Sequence, residues 1–202
     1  GDLRKKMNDK LFNLTASEIM TKKPTTGDKN IAIGTDALKV NTDRSSHVAV
    51  GHEALKNTST GQYSWYGQNN TGIGNQALTA NTIGYANTAI GNIALTANQE
   101  GYSNTACGAG SLTSLNGNSA NKNTAIGESA GGLSTTGTGN LFGGWASGYN
   151  ITSGTNNTLL GHNAARSGTN NITTGSNNTV IGYNAAASSA TVSNEVTIGD
   201  TN

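Results

Sequence analysis

The sequence predicts an all-β fold, a β-solenoid of about ten coils that follows a short helical N-terminal segment. The main observation is a pentapeptide, Asn-Thr-Ala-Ile-Gly in its commonest form, that recurs along the 202 residues. Six of the nine spacings between its closing glycines are 17 residues. A fixed period of this size indicates units that stack on one another. The closing glycines are Gly34, Gly51, Gly74, Gly91, Gly108, Gly127, Gly144, Gly161, Gly182 and Gly199.

The composition agrees with this fold class. Only 33% of the residues are hydrophobic and 11% are charged, whereas an ordinary globular domain has nearly half apolar and about a quarter charged residues. Such a chain has too few large side chains for one compact core and too few charges for a disordered polyelectrolyte. A parallel solenoid can still order it, because every coil hydrogen-bonds to the coils on either side.

Residues 1–29 differ from the rest and are predicted to form a helical cap or docking segment. Their apolar residues fall at steps of four, four and three on one helix face: Leu3, Met7, Leu11 and Leu14. Pro24 and Gly27 end this pattern and lead into the repeats. A cap over the first coil and a segment that docks the repeats onto a larger assembly remain equally open readings, and one helix could serve both.

Residues 30–202 form the repeat region. In one copy, strand alternation puts Thr88 and Ile90 on one face and Asn87, Ala89 and Gly91 on the other. The isoleucine position predicts an internal apolar row, the isoleucine ladder. Its members are Ile33, Val50, Ile73, Ile90, Cys107, Ile126, Leu160, Ile181 and Ile198.

Two further positions, three and four residues past each of the first nine closing glycines, carry additional information. A small residue stands three residues on, which implies close approach of another backbone. The next residue is leucine in the first five copies and glycine or alanine in the last four. We therefore expect the cross-section to narrow, or the packing between chains to tighten, towards the C-terminus. Ten coils at about 4.8 Å each give a rod on the order of 45–50 Å long.

The small-Ile-Gly strand followed by an alanine resembles the head repeats of trimeric autotransporter adhesins, the YadA-like family. The longer form at residues 87–98 is more similar to a variant common in bacteriophage tail fibres, and residues 193–202 resemble a segment that precedes a chaperone domain there. The resemblance covers roughly residues 30–202. It implies a left-handed parallel β-roll in which three chains, intertwined or side by side, associate about a central axis.

The resemblance also implies a function and partners. The expectation is a structural virion fibre, a phage tail fibre, that projects a receptor-binding tip or contributes to host attachment. A bacterial trimeric adhesin head on the cell surface is the alternative, and a polysaccharide depolymerase is a further one. Expected partners are two more copies of the chain, tail or baseplate proteins on the N-terminal segment, and a host-cell glycan or protein.

Elementary energetics also favours a homotrimer. A thin roll with small inward residues buries little apolar area, which at roughly 25 cal/mol per Å² hardly offsets the cost of ordering the chain. Net charge is +1, which gives no reason to expect nucleic acid. No apolar run has the length of a membrane span, and no cofactor is expected. Cys107, the one cysteine, is expected to be a small buried hydrophobe.

Aromatic residues supply the candidate contact site. Tyr63, Trp65 and Tyr66 lie in the longest stretch between closing glycines and suit stacking against sugar rings. Covering a local gap or a chain junction is the alternative role for these side chains. Tyr85 and Tyr102 occupy equivalent places, each eleven residues past a closing glycine, which favours a structural stack.

Other residues with chemical potential are predicted to be structural. His47, His52 and His162 are expected at the surface or at corners, with a metal site on a threefold axis as the rarer alternative. Trp145 and Tyr149 are expected either to plug the change in packing or to form an exposed patch. The repeat region has neither paired carboxylates nor a nucleophile-elbow motif. We therefore expect no catalytic residues and no enzyme.

Overall fold

The structure, a computed structural model, describes residues 27–59, 64–166 and 170–199. They contain one ten-stranded sheet in which every pair of neighbouring strands is parallel and chain order is kept. The prediction of a parallel β-solenoid of about ten coils is confirmed. The strands are β1 (Ile31–Ile33), β2 (Val48–Val50), β3 (Thr71–Ile73), β4 (Thr88–Ile90), β5 (Thr105–Cys107), β6 (Thr124–Ile126), β7 (Leu141–Gly143), β8 (Thr158–Leu160), β9 (Thr179–Ile181) and β10 (Val196–Ile198).

The strand register follows the pentapeptide. Ile73 pairs with Ile90, so the repeated residues stack directly on one another. The register is kept across the longest interval, where Val48 pairs with Thr71. Extra residues are therefore accommodated between strands, and the sheet continues unchanged.

Hydrogen bonds between coils continue beyond the strands. The Leu78 backbone N–H donates to the Ala94 carbonyl at 3.1 Å, and the Ile93 N–H donates to the Asn75 carbonyl at 2.9 Å. Bonds at equivalent positions recur from coil to coil. Backbone pairing on this scale explains how a chain with few large side chains is ordered.

The closing glycines are required by their close approach to the next coil. Gly91 has φ 139°, and a Cβ atom there would lie 2.6 Å from the carbonyl carbon and oxygen of Gly108. Both the backbone angle and the contact exclude a side chain. At the first eight closing glycines a Cβ atom would lie less than 3.0 Å from the next closing glycine, so these positions exclude a side chain for the same reason.

The isoleucine ladder lies on the outer face of the sheet, so the prediction that it is internal is wrong. Ile90 is 40% exposed, whereas its neighbour Ala89 is fully buried. Strand alternation is as predicted, but the interior is already filled by the leucines that follow the closing glycines. At Gly72, for example, a Cβ atom would already lie 3.2 Å from Leu55 Cγ. The buried middle residues of the strands are Ala49, Gly72, Ala89, Ala106, Ala125, Phe142, Leu159 and Val180.

A column of buried asparagines, the asparagine column, runs along the interior directly before the strands. Each side-chain oxygen accepts a hydrogen bond from the backbone N–H at the same position of the next coil, as Asn87 does from Asn104 at 3.0 Å. Each side-chain NH₂ also donates to a corner carbonyl, as Asn87 does to Gly101 at 2.7 Å. Both polar side-chain groups of every member of the column are thus hydrogen-bonded in the interior. Its members are Asn70, Asn87, Asn104, Asn123, Asn140, Asn157 and Asn178.

Where glycine replaces leucine four residues past the closing glycine, larger side chains on the strands fill the interior space that leucine occupies in the earlier coils. A Cβ atom at Gly131 would lie 2.6 Å from Phe142 Cδ2, and one at Gly148 would lie 2.4 Å from Phe142 Cδ1. Phe142 and Leu159, both fully buried, replace the inward alanines of earlier strands. The interior therefore stays filled where the sequence predicted a narrower cross-section.

The predicted helical segment falls mainly on residues 1–26, which lie outside the described part of the chain. Residues 27–29 are described and are not helical. The Asp28 carbonyl accepts a hydrogen bond from the Ser46 N–H at 3.1 Å, the same type of bond that joins later coils. The coil register therefore reaches back at least to this residue.

Candidate binding surfaces

The first candidate surface gathers aromatic residues of three neighbouring coils. Trp65, 56% exposed, contacts Tyr66 edge-on at 6.3 Å between ring centroids. Tyr66 lies 6.4 Å from Tyr85, which stacks on Tyr102 at 4.8 Å with an angle of 5° between the rings. The predicted Tyr85–Tyr102 stack is confirmed, whereas Tyr63 lies outside the described residues. We call Trp65, Tyr66, Tyr85 and Tyr102 the N-terminal aromatic surface.

The segment that carries Trp65 is held by the coils on both sides. The Gly67 N–H donates to the Ile83 carbonyl at 2.8 Å in the following coil. From the preceding coil, Arg44 Nη1 donates to the Ser64 carbonyl at 3.2 Å. Trp65 is therefore presented by an anchored backbone.

These rings combine apolar area with polar edges. Burial, and then the neighbouring Tyr102 and Tyr66, raise the pKa of Tyr85. Its phenol therefore stays protonated at neutral pH and can donate a hydrogen bond. Rings that offer both flat apolar contact and hydrogen bonds fit the alternating C–H and O–H groups of sugars.

A second aromatic cluster lies on the last coils. Trp145, His162 and Tyr183 each directly follow a closing glycine, so they stack along the rod, with centroids 4.8 Å apart for Trp145–His162 and 5.1 Å apart for His162–Tyr183. Trp145 is 41% exposed and Tyr183 is 63% exposed. Of the two roles considered for Trp145, the exposed patch is the one observed. Tyr183 was missed from the sequence, although its place after a closing glycine was the signal.

An arginine crosses this second cluster. The guanidinium carbon of Arg166 lies 5.2 Å from the Trp145 ring centroid and 4.6 Å from that of Tyr149, within the range of cation–π attraction. Its Nη1 donates to Asn163 Oδ1 at 3.3 Å. The ion pairs found among the described residues do not include it. We call Trp145, Tyr149, His162, Arg166 and Tyr183 the C-terminal aromatic surface.

The outer face of the sheet is a third surface. One of its two outward rows is the apolar isoleucine ladder, interrupted at Gly143, and the other row is threonine in six of the ten strands. Ile33, Ile126 and Ile198 are 39%, 54% and 76% exposed. Cys107 is exposed too, so the expectation of a buried thiol is wrong. The reason is the same as for the isoleucines, because Cys107 shares their strand position and faces outward.

His47 occupies a place in line with the asparagine column. Its backbone N–H donates to Asn30 Oδ1 at 3.0 Å, and its Nδ1 accepts from the Asn70 N–H at 3.3 Å. Burial is the main cause that lowers the pKa of His47 to about 4, so the ring is neutral at physiological pH. The expectation of a surface or corner position is wrong for this residue, because a neutral imidazole can replace an asparagine acceptor.

The other two histidines lie at the exposed positions expected for them. His52 contacts Asn75 through Nδ1 at 3.4 Å, and His162 belongs to the C-terminal aromatic surface. Across residues 27–59, 64–166 and 170–199, no group of three or more His, Cys, Asp or Glu side chains is placed to hold a metal ion.

A notch of about 320 Å³ opens near the last described coil, lined by Asn170, Ala186, Ala187, Ser188, Glu195 and Thr197. The Glu195 carboxylate accepts hydrogen bonds from the Ser188 N–H at 2.9 Å and the Thr197 hydroxyl at 2.8 Å. Hydrogen bonds from Ser188, with that of Thr197, hold the pKa of Glu195 below its usual range. The ionised carboxylate of Glu195 thus serves as a hydrogen-bond acceptor that stabilises the local fold.

Fold and surfaces together define the class, a parallel β-solenoid repeat protein with two aromatic surfaces and an apolar row on the outer face of its sheet. No protein-family model, curated protein or solved structure matches the chain. Over the described ranges, no helix has the length and apolarity needed to cross a bilayer. The assignment of function therefore depends on the surfaces themselves.

Proposed function

We propose that this chain is a segment of a homotrimeric structural fibre of a virion, in class a bacteriophage tail fibre. Three left-handed rolls associate along the outer face of their sheets, and the rod holds a receptor-binding tip away from the particle. Residues 1–29 dock it to tail or baseplate proteins. The observation that carries the proposal is the exposed isoleucine ladder on the outer face of the sheet, which extends from Ile33 to Ile198.

The size of this face supports association. Nine intervals of about 4.8 Å and three residues of about 3.3 Å give a sheet face of roughly 43 by 10 Å, along which the isoleucine ladder is one of the two outward rows. Apolar surface exposed over such a length is uncommon on soluble monomers, and large apolar patches mark interaction sites. A second copy fits the face because its rows have the same length, the same period and no charged side chain in either outward row.

Cys107 allows a direct test of the subunit interface. It is the single cysteine of the chain and pairs with Ile90 and Ile126 in the middle of the sheet. Around a threefold axis on this face the three thiols come together. A short bismaleimide is therefore expected to give covalent dimers in high yield, while native mass measurement gives a trimer.

A matched variant places the thiol elsewhere on the same coil. Cys107→Ser combined with Gln99→Cys moves the cysteine to an exposed position away from the strand. We expect little cross-linking from this variant at equal protein concentration. A monomeric mass, or equal cross-linking from both proteins, contradicts the trimer.

The N-terminal aromatic surface is the host-contact site in this proposal, through Trp65, Tyr66 and the neighbouring Tyr63, with a cell-surface glycan as ligand. Fluorescently labelled protein is expected to bind host cells, and Trp65→Ala is expected to weaken that binding. Leu133→Ala, which shortens an exposed apolar side chain on another coil, serves as the control. Equal binding of both variants removes this surface from the proposal.

A further inference from the structure

We infer that the C-terminal aromatic surface is a second glycan site, selective for sugars that carry a carboxylate. The inference deepens the proposed function and rests on it in one premise alone, that the solenoid binds a glycan. It does not depend on the trimer or on a virion as the owner of the fibre. Three properties of the surface carry it: ring order, a fixed cation and the distribution of charge.

The rings are ordered before any ligand arrives. Trp145, His162 and Tyr183 follow the coil spacing, and each ring is held by stacking on its neighbour. The outer members nevertheless keep 41% and 63% of their surface exposed. Rigid aromatic side chains give contact area at a low cost in conformational entropy. This surface is therefore better prepared for a ligand than scattered exposed rings.

Arg166 supplies the charge selectivity. It lies over Trp145 and Tyr149, and its bond to Asn163 limits rotation of the guanidinium. Since the ion pairs among the described residues do not include Arg166, its positive charge is open to an external anion. A planar guanidinium fits a carboxylate with two parallel hydrogen bonds, which a neutral sugar cannot reproduce.

The charges around the two surfaces differ. Glu128 occupies the place before Trp145 in the column that follows the closing glycines, and it is exposed. It repels an anion at that end, which directs the carboxylate of a ligand to the side of Arg166. At the N-terminal aromatic surface, by contrast, Arg44 is buried and lies 3.6 Å from the Asp43 carboxylate. We therefore assign acidic sugars to the C-terminal surface alone.

Fluorescence can report on this site separately, because the chain has two tryptophans and each surface holds one. In a Trp65→Phe protein, emission comes from Trp145 alone. We expect it to change saturably on titration with at least one of three oligosaccharides, from alginate, polygalacturonate or polysialic acid. Dextran oligosaccharides of equal length are expected to bind at least tenfold more weakly, and added salt is expected to weaken the acidic ligand.

Variants assign the effect to the arginine. Arg166→Gln is expected to weaken binding of the acidic ligand about tenfold and to leave dextran unchanged. Lys122→Gln makes the same change of charge at an exposed position on another coil and is expected to have no effect. Arg166→Lys keeps the positive charge but loses the planar guanidinium with its two parallel donors. Its affinity for the acidic ligand is expected to lie between those of the parent protein and Arg166→Gln.

The outcomes separate this inference from the proposed function. Absence of saturable binding to all three acidic ligands overturns it, as does equal loss in the Arg166→Gln and Lys122→Gln variants. A Trp145 that acrylamide cannot quench in the native protein shows the surface covered by another copy and also overturns it. A monomeric mass or a failed Cys107 cross-link contradicts the trimeric fibre and leaves the titration valid.

Discussion

Replacing Asn104 by alanine tests whether the asparagine column holds the coils together. The Asn104 Oδ1 atom accepts from the Asn123 N–H at 3.0 Å, and its Nδ2 donates to the Ala120 carbonyl at 2.8 Å. Alanine leaves both backbone groups buried without these partners. At about 1–3 kcal/mol for each unsatisfied group, the loss of unfolding free energy is roughly 2–6 kcal/mol. Domains are stable by only about 5–15 kcal/mol, so the change is large.

The loss can be measured by urea denaturation at matched protein concentration, because association would make stability depend on concentration. Asn92→Ala is the control, since Asn92 is exposed, and it is expected to cost less than about 0.5 kcal/mol. Hydrogen exchange should localise the effect. In a one-dimensional stack, amides of the coils next to Asn104 are expected to lose protection first.

A loss below about 1 kcal/mol, or one equal to that of Asn92→Ala, would refute this reasoning about buried unsatisfied groups. A second variant keeps the test informative if the alanine protein does not fold. Asn104→His introduces the residue that the chain already has at position 47, where Nδ1 accepts the bond from the following coil. Its stability at pH 7 is therefore expected to lie between those of the parent and Asn104→Ala.

Three further perturbations address other features. Burial lowers the pKa of His47 to about 4 in the folded protein. As pH falls, the unfolded chain therefore binds a proton at this residue before the folded protein does. The contribution of His47 to the free energy of unfolding is complete above about pH 6.5 and declines towards pH 4, by up to about 3 kcal/mol. His47→Asn should remove that decline from urea midpoints at pH 7.5 and 4.5, and an unchanged pH profile counts against it. Gly91→Ala should lower the free energy of unfolding by about 2–5 kcal/mol through steric overlap and backbone strain. Gly110→Ala, where the atom nearest to a Cβ is 3.5 Å away, should cost about 1 kcal/mol. Equal unfolding temperatures of the two variants would show that the overlap at Gly91 is relieved. Phe142→Ala should lower the free energy of unfolding by about 3–5 kcal/mol. The double variant with Gly131→Leu should lose less than the sum of the two single variants. Additive losses would mean that the two side chains do not share the same space.

The period predicted the stacking, the strand positions and their register, because each depends on spacing along the chain alone. Ile73 and Ile90 pair as their place in the repeat indicates. The direction in which the ladder faces could not be read from alternation, which separates two faces without saying which one is inside. That choice depends on Leu55 and its equivalents, which fill the interior from a turn with positive φ, a conformation not expected of leucine.

The candidate sites were predicted to a different extent. Trp65 and Tyr66 were identified by their long inter-repeat stretch, and the Tyr85–Tyr102 stack by equivalent positions. Comparing the residues directly after the closing glycines would also have grouped Trp145, His162 and Tyr183. The position of Arg166 over Trp145 and Tyr149 could not be predicted, because it depends on the rotamer of a long side chain.

The direction of the bonds between coils has a mechanical consequence. They run along the rod, so a pull on its ends loads every layer with the same force and the layers give way one after another. The covalent chain, which winds around the circumference, is then a reserve of length. A coil of 17 residues that gives way under tension grows from about 4.8 Å to roughly 55–60 Å of extended chain. Single-molecule pulling should record steps of this length. A solenoid built in this way can lengthen stepwise under a sudden load without breaking the covalent chain.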